Sequence, residues 1–382
     1  MRVALVGPYP VDLTRVQGGV ESSFSMLVSG LASLSGLDPY VITFRPALTE
    51  PHVTVAEGVT VEYVPGTRRL GNLTLRARER RSLRAILDRV RPDIVHAQDA
   101  LGYGYVCLKT VQRAPVVVSV HGIVREQIRY LRSPSARIRG HTAGVSFERY
   151  CIRRARFLMT PTPYAKQYFG AEINGRIWDI GNPVSDRLFA LQPAPEWGRM
   201  LFAGTLIPLK RVLDLVDVLP QVLLQVPDAH LRVAGGVGDP HYAAQVQARV
   251  RDLGLEDRVD LLGEIGTDAL VEEYRRAALL VLPSSQETSP MVIGEAMAAG
   301  VPVVATRVGG VPYLVEHGVT GWTVEVGDLE TLAQRLVDVL SDPARATALG
   351  AAGRAEADMR FRAPLIAAQV RAVYAEILAS TI

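Results

Sequence analysis

Short apolar segments alternate with helix-length amphipathic segments along nearly the whole chain, and this alternation constrains the fold more than any other feature. Parallel strands need a crossover, usually a helix, so the pattern is typical of doubly wound α/β domains. Residues 3–6 predict the first strand, and an apolar stripe predicts the next helix at Val20, Phe24, Leu27, Val28, Leu31 and Leu34. Further strands are predicted at 40–43, 59–64, 94–96, 116–120 and 157–160.

A second series of predicted strands lies at 200–204, 231–234, 259–262, 279–282 and 303–304. The segment 189–198, with two prolines, has the composition of a linker between the two series. A chain of 382 residues also exceeds the size of one ordinary hydrophobic core. We therefore expect two Rossmann-like α/β domains, 1–188 and 198–361, that face each other across a cleft, with a C-terminal helix at 362–382 packed on the first domain.

The composition indicates a soluble globular protein, because 48% of the residues are hydrophobic and 21% are charged. No apolar run approaches the roughly 20 residues that a membrane-spanning helix needs. The two cysteines, Cys107 and Cys151, cannot form a disulfide framework and match no metal-ligand spacing, so a reducing cytoplasm is expected.

The charge is unevenly distributed along the chain. Residues 1–185 carry 25 Lys and Arg against 14 Asp and Glu, whereas the rest of the chain carries 17 against 25. The positive half is expected to meet an anionic partner, either a phosphorylated substrate or a lipid surface. The alternative is an arginine-rich helix face that contacts only solvent, in the runs 76–91 and 125–156.

Ligands of open α/β sheets bind beyond the carboxyl ends of the strands, which makes the segment 284–302 informative. Ser289 is expected to be the N-cap of a helix and Pro290 its first residue, since proline has no N–H to lose there. The first N–H groups of that helix, including those of Met291 and Val292, would then favour a phosphate.

Two acids flank this predicted helix start, Glu287 in the loop and Glu295 on the second turn. One carboxylate can reach the reacting end of a ligand while the other accepts hydrogen bonds from a diol such as a ribose. The spacing alone leaves open the alternative of two solvated acids on an ordinary loop and helix.

The segment that begins at Glu287 resembles the Glu-x7-Glu signature of the family 4 retaining glycosyltransferases, also called glycosyl transferases group 1, of GT-B fold. Further similarity lies at 18–21, 93–96, 121–122, 181–184, 204–210, 308–312 and 318–321. The resemblance implies transfer of a sugar from a UDP- or GDP-sugar donor with retention at the anomeric carbon. It assigns Glu287 to the sugar hydroxyls and the oxocarbenium character, and Glu295 to the donor ribose.

The loop that begins at Gly204 resembles the family's diphosphate-binding loop, in which Lys210 would hold the donor diphosphate. The family usually has arginine directly after this glycine, where the present chain has Thr205. Either Arg211 supplies the second positive charge or the diphosphate is held more weakly. An exposed lysine before a helix is the alternative for Lys210.

In the first domain, Gly18 and Gly19 end the loop after the first strand and would let a phosphate or sugar approach the backbone. A simple turn is the alternative for this pair. His121 follows the strand 116–120 and, by the resemblance, would contact the transferred sugar as a catalytic residue. A structural histidine or a proton acceptor is the alternative, and His96 is a weaker candidate of the same kind.

A second glycine pair, Gly309 and Gly310, follows the strand 303–304 and is expected to form a tight loop that lines the donor site. The family often has glutamate just after Pro312, where this chain has Tyr313. No acidic role therefore carries over to that position.

The sequence contains no Asp-x-Asp triplet, which holds a divalent metal in the other common glycosyltransferase fold, and no P-loop. We therefore expect no metal or other cofactor, with helix termini and Lys210 binding the diphosphate instead. The resemblance implies front-face attack in which the leaving phosphate takes the acceptor proton. No covalent nucleophile is assigned.

Two other functions stay open at this point. A nonhydrolysing UDP-sugar 2-epimerase shares the GT-B architecture, and Thr205 is compatible with an inert nucleotide-sugar binding protein. The expected partners of a transferase are the nucleotide sugar and a phosphorylated or lipid-linked acceptor at the inner membrane face, with no nucleic acid. A neutral glycan or small-molecule acceptor is the alternative, because the arginine-rich helices can lie away from the ligand.

Overall fold

The computed structural model describes residues 1–16, 18–67, 74–131, 133, 137–138 and 140–380. The chain divides into two compact units. The first unit comprises Met1–Val11, Val20–Pro183 and Ala363–Ile382, and the second comprises Asp12–Gly19 and Val184–Arg362. The division falls at residues 183 and 184 rather than at 188, because Val184 pairs with Arg362 inside the second unit. The segment Asp12–Gly19, which the prediction places in the first domain, also groups with the second unit.

The described strands of the first unit are β1 (Arg2–Val6), β2 (Asp38–Arg45), β3 (His52–Ala56), β4 (Val59–Pro65), β5 (Ile94–Ala97), β6 (Val116–Ser119), β7 (Phe157–Thr160) and β8 (Arg176–Asp179). They form one sheet in the order β3-β4-β2-β1-β5-β6-β7-β8. Neighbours are parallel except for β3 and β4. The central strand β1 is buried over most of its length, which explains the apolar run that predicts it.

Two strands of this sheet, β3 and β8, have no counterpart in the prediction. β3 is exposed at its start and forms a hairpin with β4 through Glu57 and Gly58, both of which have positive φ. Two positive φ angles are the geometry of the tight hairpin turn whose twist matches antiparallel strands. β8 lies at the sheet edge with exposed ends. Half-exposed edge strands lack the apolar runs that mark the interior ones.

The helices of the first unit are α1 (Gly18–Ala32, which starts in the second unit), α2 (Ala77–Val90), α3 (Gly102–Thr110), α4 (Val124–Gln127), α5 (Val145–Arg154), α6 (Tyr164–Phe169) and a C-terminal helix (Ala363–Ala379). The C-terminal helix packs against α1 at Gly30, where a Cβ would lie 2.8 Å from the carbonyl oxygen of Ala363. A glycine therefore permits this close approach. The Tyr374 hydroxyl of the same helix lies 2.6 Å from His96 Nδ1 at the end of β5.

The second unit contains β9 (Arg199–Ala203), β10 (His230–Ala234), β11 (Val259–Gly263), β12 (Leu279–Leu282), β13 (Val303–Thr306) and β14 (Gly321–Val324). They form a parallel sheet in the order β11-β10-β9-β12-β13-β14. Its helices are α7 (Asp186–Phe189), α8 (Val212–Leu223), α9 (Pro240–Asp252), α10 (Thr267–Arg276), α11 (Met291–Ala298), α12 (Leu329–Leu340) and α13 (Pro343–Arg360). The prediction missed only the edge strand β14 in this sheet.

Parallel strands end on the same edge of their sheet, so the loops after β10, β9, β12 and β13 are neighbours. These loops carry most of the residues that the sequence singled out in the second half of the chain. None of the described helices is both long enough and apolar enough to cross a membrane.

Candidate functional site

Lys210 and Glu287 meet at the carboxyl edge of the second-unit sheet. Lys210 ends a short turn after β9, and Glu287 lies in the loop after the neighbouring strand β12. Lys210 Nζ donates to Glu287 Oε1 over 2.5 Å. The two side chains are only 18% and 9% exposed, so solvent screens this ion pair less than one on the open surface. The structure therefore brings together two residues that the sequence predicts as catalytic.

The surroundings of Glu287 fix one of its two carboxylate oxygens. Ser284 donates its hydroxyl to the same Oε1 atom over 2.7 Å. The Ser285 N–H donates to the Leu209 carbonyl oxygen over 2.8 Å, which ties the two loops together through the main chain. Among the described residues, Glu287 Oε2 has no hydrogen bond, and this oxygen is not fully buried by the surrounding protein. One oxygen is held by the protein and the other is open to a ligand.

The helix α11 starts one residue later than the sequence predicts. Pro290, predicted as the first helical residue, is the N-cap with an extended backbone (ψ 118°), and the helix begins at Met291. Ser289, predicted as the N-cap, therefore lies outside the helix. The described structure shows no side-chain hydrogen bond that caps the start of α11. The N–H groups of Met291 and Val292 still belong to the first turn, where they have no intrahelical acceptor.

The glycine pair Gly18–Gly19 lies beside this helix start. Gly18 has a φ of +78°, and a Cβ on Gly19 would lie 3.1 Å from Met291 Cγ. The preceding loop is held in the second unit by the Thr267 N–H, which donates to the Thr14 carbonyl oxygen over 3.1 Å. The side-chain-free backbone of Gly19 therefore lies next to the first turn of α11. Such an arrangement leaves room for a phosphate to approach the main chain.

Glu295 lies on the second turn of α11 and contacts a buried tyrosine. The Tyr274 hydroxyl, on α10, donates to Glu295 Oε2 over 2.8 Å. Burial raises the pKa of Glu295, and the hydrogen bond from Tyr274 opposes that rise. Like Glu287, Glu295 keeps its second oxygen, Oε1, without a hydrogen bond in the described part of the chain.

Sequence reasoning missed a glycine cluster that packs against Gly204 and Thr205. A Cβ on Gly235 would lie 1.8 Å from the Gly204 carbonyl oxygen, and one on Gly238 would lie 2.5 Å from Thr205 Cγ2. Leu206 also forms a β-bridge with the intervening residue 237. The density of glycine directly after β10 was the available signal, since glycine recurs where backbones approach closely.

Arg211 is already paired within its own helix start. Its Nε donates to Asp214 Oδ2 over 2.7 Å, and its backbone is left-handed with φ 51°. A diphosphate could recruit this guanidinium only in competition with Asp214.

The second glycine pair lies close to Glu287, because the Gly310 N–H donates to the Glu287 carbonyl oxygen over 3.0 Å. The adjacent Gly309 has a φ of +51°, consistent with the tight loop that the sequence predicts.

In the first unit, His121 lines a cavity of about 30 Å³ together with Ser23, Gln98 and Asn182. His121 Nε2 lies 3.3 Å from Gln98 Oε1. Burial lowers the pKa of His121 to about 4, although a hydrogen bond with Asn182 opposes this shift. His121 is therefore an uncharged imidazole at neutral pH.

His96 has a different environment, because both of its ring nitrogens are engaged by protein side chains. Nδ1 lies 2.6 Å from the Tyr374 hydroxyl, and Nε2 lies 2.8 Å from Ser119 Oγ. Burial lowers the pKa of His96 to about 3. This histidine links β5, β6 and the C-terminal helix, and it has no nitrogen left for a ligand.

Among the described residues, no three His, Cys, Asp or Glu side chains are grouped so that they could hold a metal ion. Cys107 and Cys151 are both buried as free thiols, and burial raises the pKa of each.

Two family models match this chain over nearly all of its length. The model described as glycosyl transferase 4-like domain matches residues 18–180, and the one described as glycosyl transferases group 1 matches residues 191–356. A curated protein, the N-acetyl-alpha-D-glucosaminyl L-malate synthase of Bacillus anthracis, is 35% identical over 169 residues. These residues are 44% of this chain and 43% of that protein, so the similarity spans less than half of the relative's length.

Solved structures resemble the whole chain at low sequence identity. Sucrose-phosphate synthase from Thermosynechococcus elongatus has a TM-score of 0.84 and 22% identity, with 99% of both chains covered. Anabaena Alr3699/HepE in complex with UDP and glucose has a TM-score of 0.76 and 21% identity, with both chains covered completely. This likeness confirms the predicted α/β fold with two sheets, the GT-B class.

Proposed function

This chain belongs to the glycosyl transferases group 1, family 4, and from that premise we propose that it is a retaining glycosyltransferase. It would move a sugar from a UDP- or GDP-linked donor to an acceptor hydroxyl, without a metal or other cofactor. The nucleotide sugar is its substrate. HepE, a protein of the same fold, is described in complex with UDP and glucose.

The meeting of Lys210 with Glu287 next to the start of α11 is the observation that supports this proposal most strongly. A donor diphosphate needs a cation and free N–H groups, and the sugar needs a hydrogen-bond acceptor. Lys210, the first turn of α11 and Glu287 Oε2 supply these three in one unit. We therefore assign donor binding to the second unit, and acceptor binding to the first.

The proposed reaction breaks the bond between the anomeric carbon and the diphosphate oxygen and forms a bond from the same carbon to the acceptor oxygen. The leaving diphosphate gathers negative charge, which Lys210 and the N–H groups of Met291 and Val292 would stabilise. Each such donor is worth about 3–4 kcal/mol in known oxyanion sites. Glu287 Oε2 would orient the sugar hydroxyls, and the acceptor proton would pass to the leaving phosphate. His121, uncharged at neutral pH, would contact the sugar rather than supply charge.

We propose that the acceptor is anionic or lipid-linked. The named relative is described as an N-acetyl-alpha-D-glucosaminyl L-malate synthase, and malate is an anion. The α2 helix exposes Arg78, Arg81 and Arg84, and none of these has an ion-pair partner in the part of the chain that the structure describes. Such a face would suit a peripheral contact with the anionic lipid of the inner membrane face, and we propose on this basis that the protein acts in the cytoplasm.

Calorimetric binding of UDP and GDP, with a chelator present, tests the donor site. Wild-type protein should bind one nucleotide, and Glu295→Ala should bind it at least tenfold more weakly, because the ribose loses its acceptor. The matched control is Glu330→Ala, an exposed acid in the first turn of α12 in the same unit, which should bind like wild type. Binding of neither nucleotide by the wild type would refute the proposal. Epimerised free nucleotide sugar in the absence of an acceptor would favour the epimerase instead.

A further inference from the structure

We infer that Tyr274 is a positioning residue for donor binding, which acts by holding one carboxylate oxygen of Glu295 so that the other is aimed at the nucleotide. The inference rests on the proposed function, because it names the residue that prepares the ribose acceptor. Nothing in the Glu-x7-Glu spacing indicates Tyr274, which precedes Glu287 by a strand and a loop.

A single hydrogen bond, from Tyr274, fixes one of the two carboxylate oxygens of Glu295. Tyr274 is 1% exposed and packs in the hydrophobic core of the second unit, so its hydroxyl has a fixed position. That hydroxyl donates to Glu295 Oε2 over 2.8 Å and lies 3.5 Å from the Val292 carbonyl oxygen. A glutamate on a helix otherwise samples several rotamers. The bond to Oε2 selects one of them and leaves Oε1 to accept from a diol.

The same bond also favours the ionised form of Glu295. Burial disfavours the carboxylate, whereas an O–H that donates to it favours the charged form. Both effects act on Glu295, and burial is the larger. Removing the Tyr274 hydroxyl therefore leaves a buried carboxylate without compensation, which protonates more readily. A protonated carboxyl loses one acceptor position and the charge that strengthens its bonds to hydroxyl donors.

The test is Tyr274→Phe, which removes one oxygen atom and keeps the ring that fills the core. The affinity for the bound nucleotide is measured by calorimetry between pH 5.5 and 8.5. We expect about tenfold weaker binding at pH 8, because the carboxylate is no longer held. We also expect affinity to fall with decreasing pH from a midpoint higher than in the wild type, because the hydrogen bond that lowers the pKa of Glu295 is removed. In Glu295→Gln, which does not titrate, this part of the pH dependence should disappear.

The matched control is Tyr242→Phe. Tyr242 is also buried in the second unit, and its hydroxyl accepts the Leu213 N–H over 3.2 Å without contacting Glu295. This variant should lose comparable stability and keep the wild-type affinity and pH profile. A merely structural role for Tyr274 predicts the same behaviour for both tyrosine variants, and that result would overturn the inference.

The outcomes separate the inference from the function on which it rests. If the wild type binds neither UDP nor GDP, the proposed function fails and the assignment of Tyr274 fails with it. If the wild type binds and Tyr274→Phe binds equally well with an unshifted pH midpoint, only the assignment of Tyr274 fails.

Discussion

Replacing Glu287 by glutamine is expected to tighten the binding of a free nucleoside diphosphate while it impairs sugar transfer. The Lys210 ammonium is bound to Glu287 Oε1 at 2.5 Å, so a diphosphate that uses Lys210 must displace a carboxylate. Glutamine has the same length and still accepts the Ser284 hydroxyl through its amide oxygen. It has no negative charge, and therefore competes less for the ammonium.

The size of this effect follows from the strength of the ion pair. A hydrogen bond to a charged group is worth about 1.5–3 kcal/mol. The pair is partly open to solvent, with Lys210 18% and Glu287 9% exposed, so the lower end of that range applies. Removal of the carboxylate charge should therefore tighten diphosphate binding by about 1.5 kcal/mol, roughly tenfold. Sugar transfer should fall about 100-fold or more, because the charge that stabilises the transition state is lost.

Calorimetry with UDP and GDP measures the first effect, and turnover at saturating nucleotide sugar measures the second. Glu256→Gln is the control, because it changes the net charge of the same unit equally at an exposed position with no ion pair among the described residues. It should bind and turn over like wild type. If Glu287→Gln binds both nucleotides no better than wild type, Lys210 is not shared between the carboxylate and a diphosphate, and the reasoning is refuted.

Three further predictions concern stability and the basic face. Glu273→Ala should lower the free energy of unfolding by about 1–3 kcal/mol, because it removes the carboxylate shared by Arg199 and Arg232, which keep only their pairs with Glu196 and Asp260; an unchanged denaturation midpoint would contradict this. The double variant Arg81→Glu/Arg84→Glu should bind phosphatidylglycerol vesicles at least about tenfold more weakly than the wild type, whereas Arg251→Glu should bind them like the wild type. Equal binding by the wild type and both variants would exclude α2 as a lipid contact. Burial holds the pKa of His121 at about 4, so below pH 6.5 the unfolded chain binds more protons than the folded one. The free energy of unfolding should therefore fall as the pH is lowered toward 4, and it should fall less steeply in His121→Gln. Parallel pH profiles for the two proteins would count against a buried neutral imidazole.

The fold was largely predictable because its strands are buried on both faces. An apolar run such as 279–282, which is buried throughout, predicts a strand by itself, and helix-length segments separate one such run from the next. The edge strands β3, β8 and β14 were missed, because β3 and β8 contain exposed residues, and β14, although buried, has Gly321 and Thr323 where an apolar run would mark a strand. Membership of a unit is a tertiary property, so the grouping of Asp12–Gly19 with the second unit had no signal in the sequence.

The positions of the site residues were predictable, and their partners were not. The rule that ligands bind beyond the carboxyl ends of strands indicated the segment that holds Glu287, the resemblance of its loop to the family indicated Lys210, and the structure joins the two residues. The exact helix start was wrong by one residue, since Pro290 has a φ compatible with both the cap and the first turn, and only its ψ of 118° decides. His96 and His121 looked alike as histidines at strand ends. Only the packing shows that His96 uses both of its nitrogens within the protein.

Glu287 and Glu295 share a feature that their spacing does not encode. Each has one carboxylate oxygen held by the protein and the other without a hydrogen bond in the described structure: Ser284 and Lys210 hold Glu287, and Tyr274 holds Glu295. A carboxylate fixed through one oxygen presents the other in a set direction, which reduces the entropy lost when a ligand binds. Lys210 and Tyr274 come from different segments from the acids that they hold, so the two carboxylates have these positions only in this fold. Variants of the holders therefore report on preorganisation, because they disturb the direction and ionisation of a carboxylate that is still present, whereas Glu295→Ala removes the group itself.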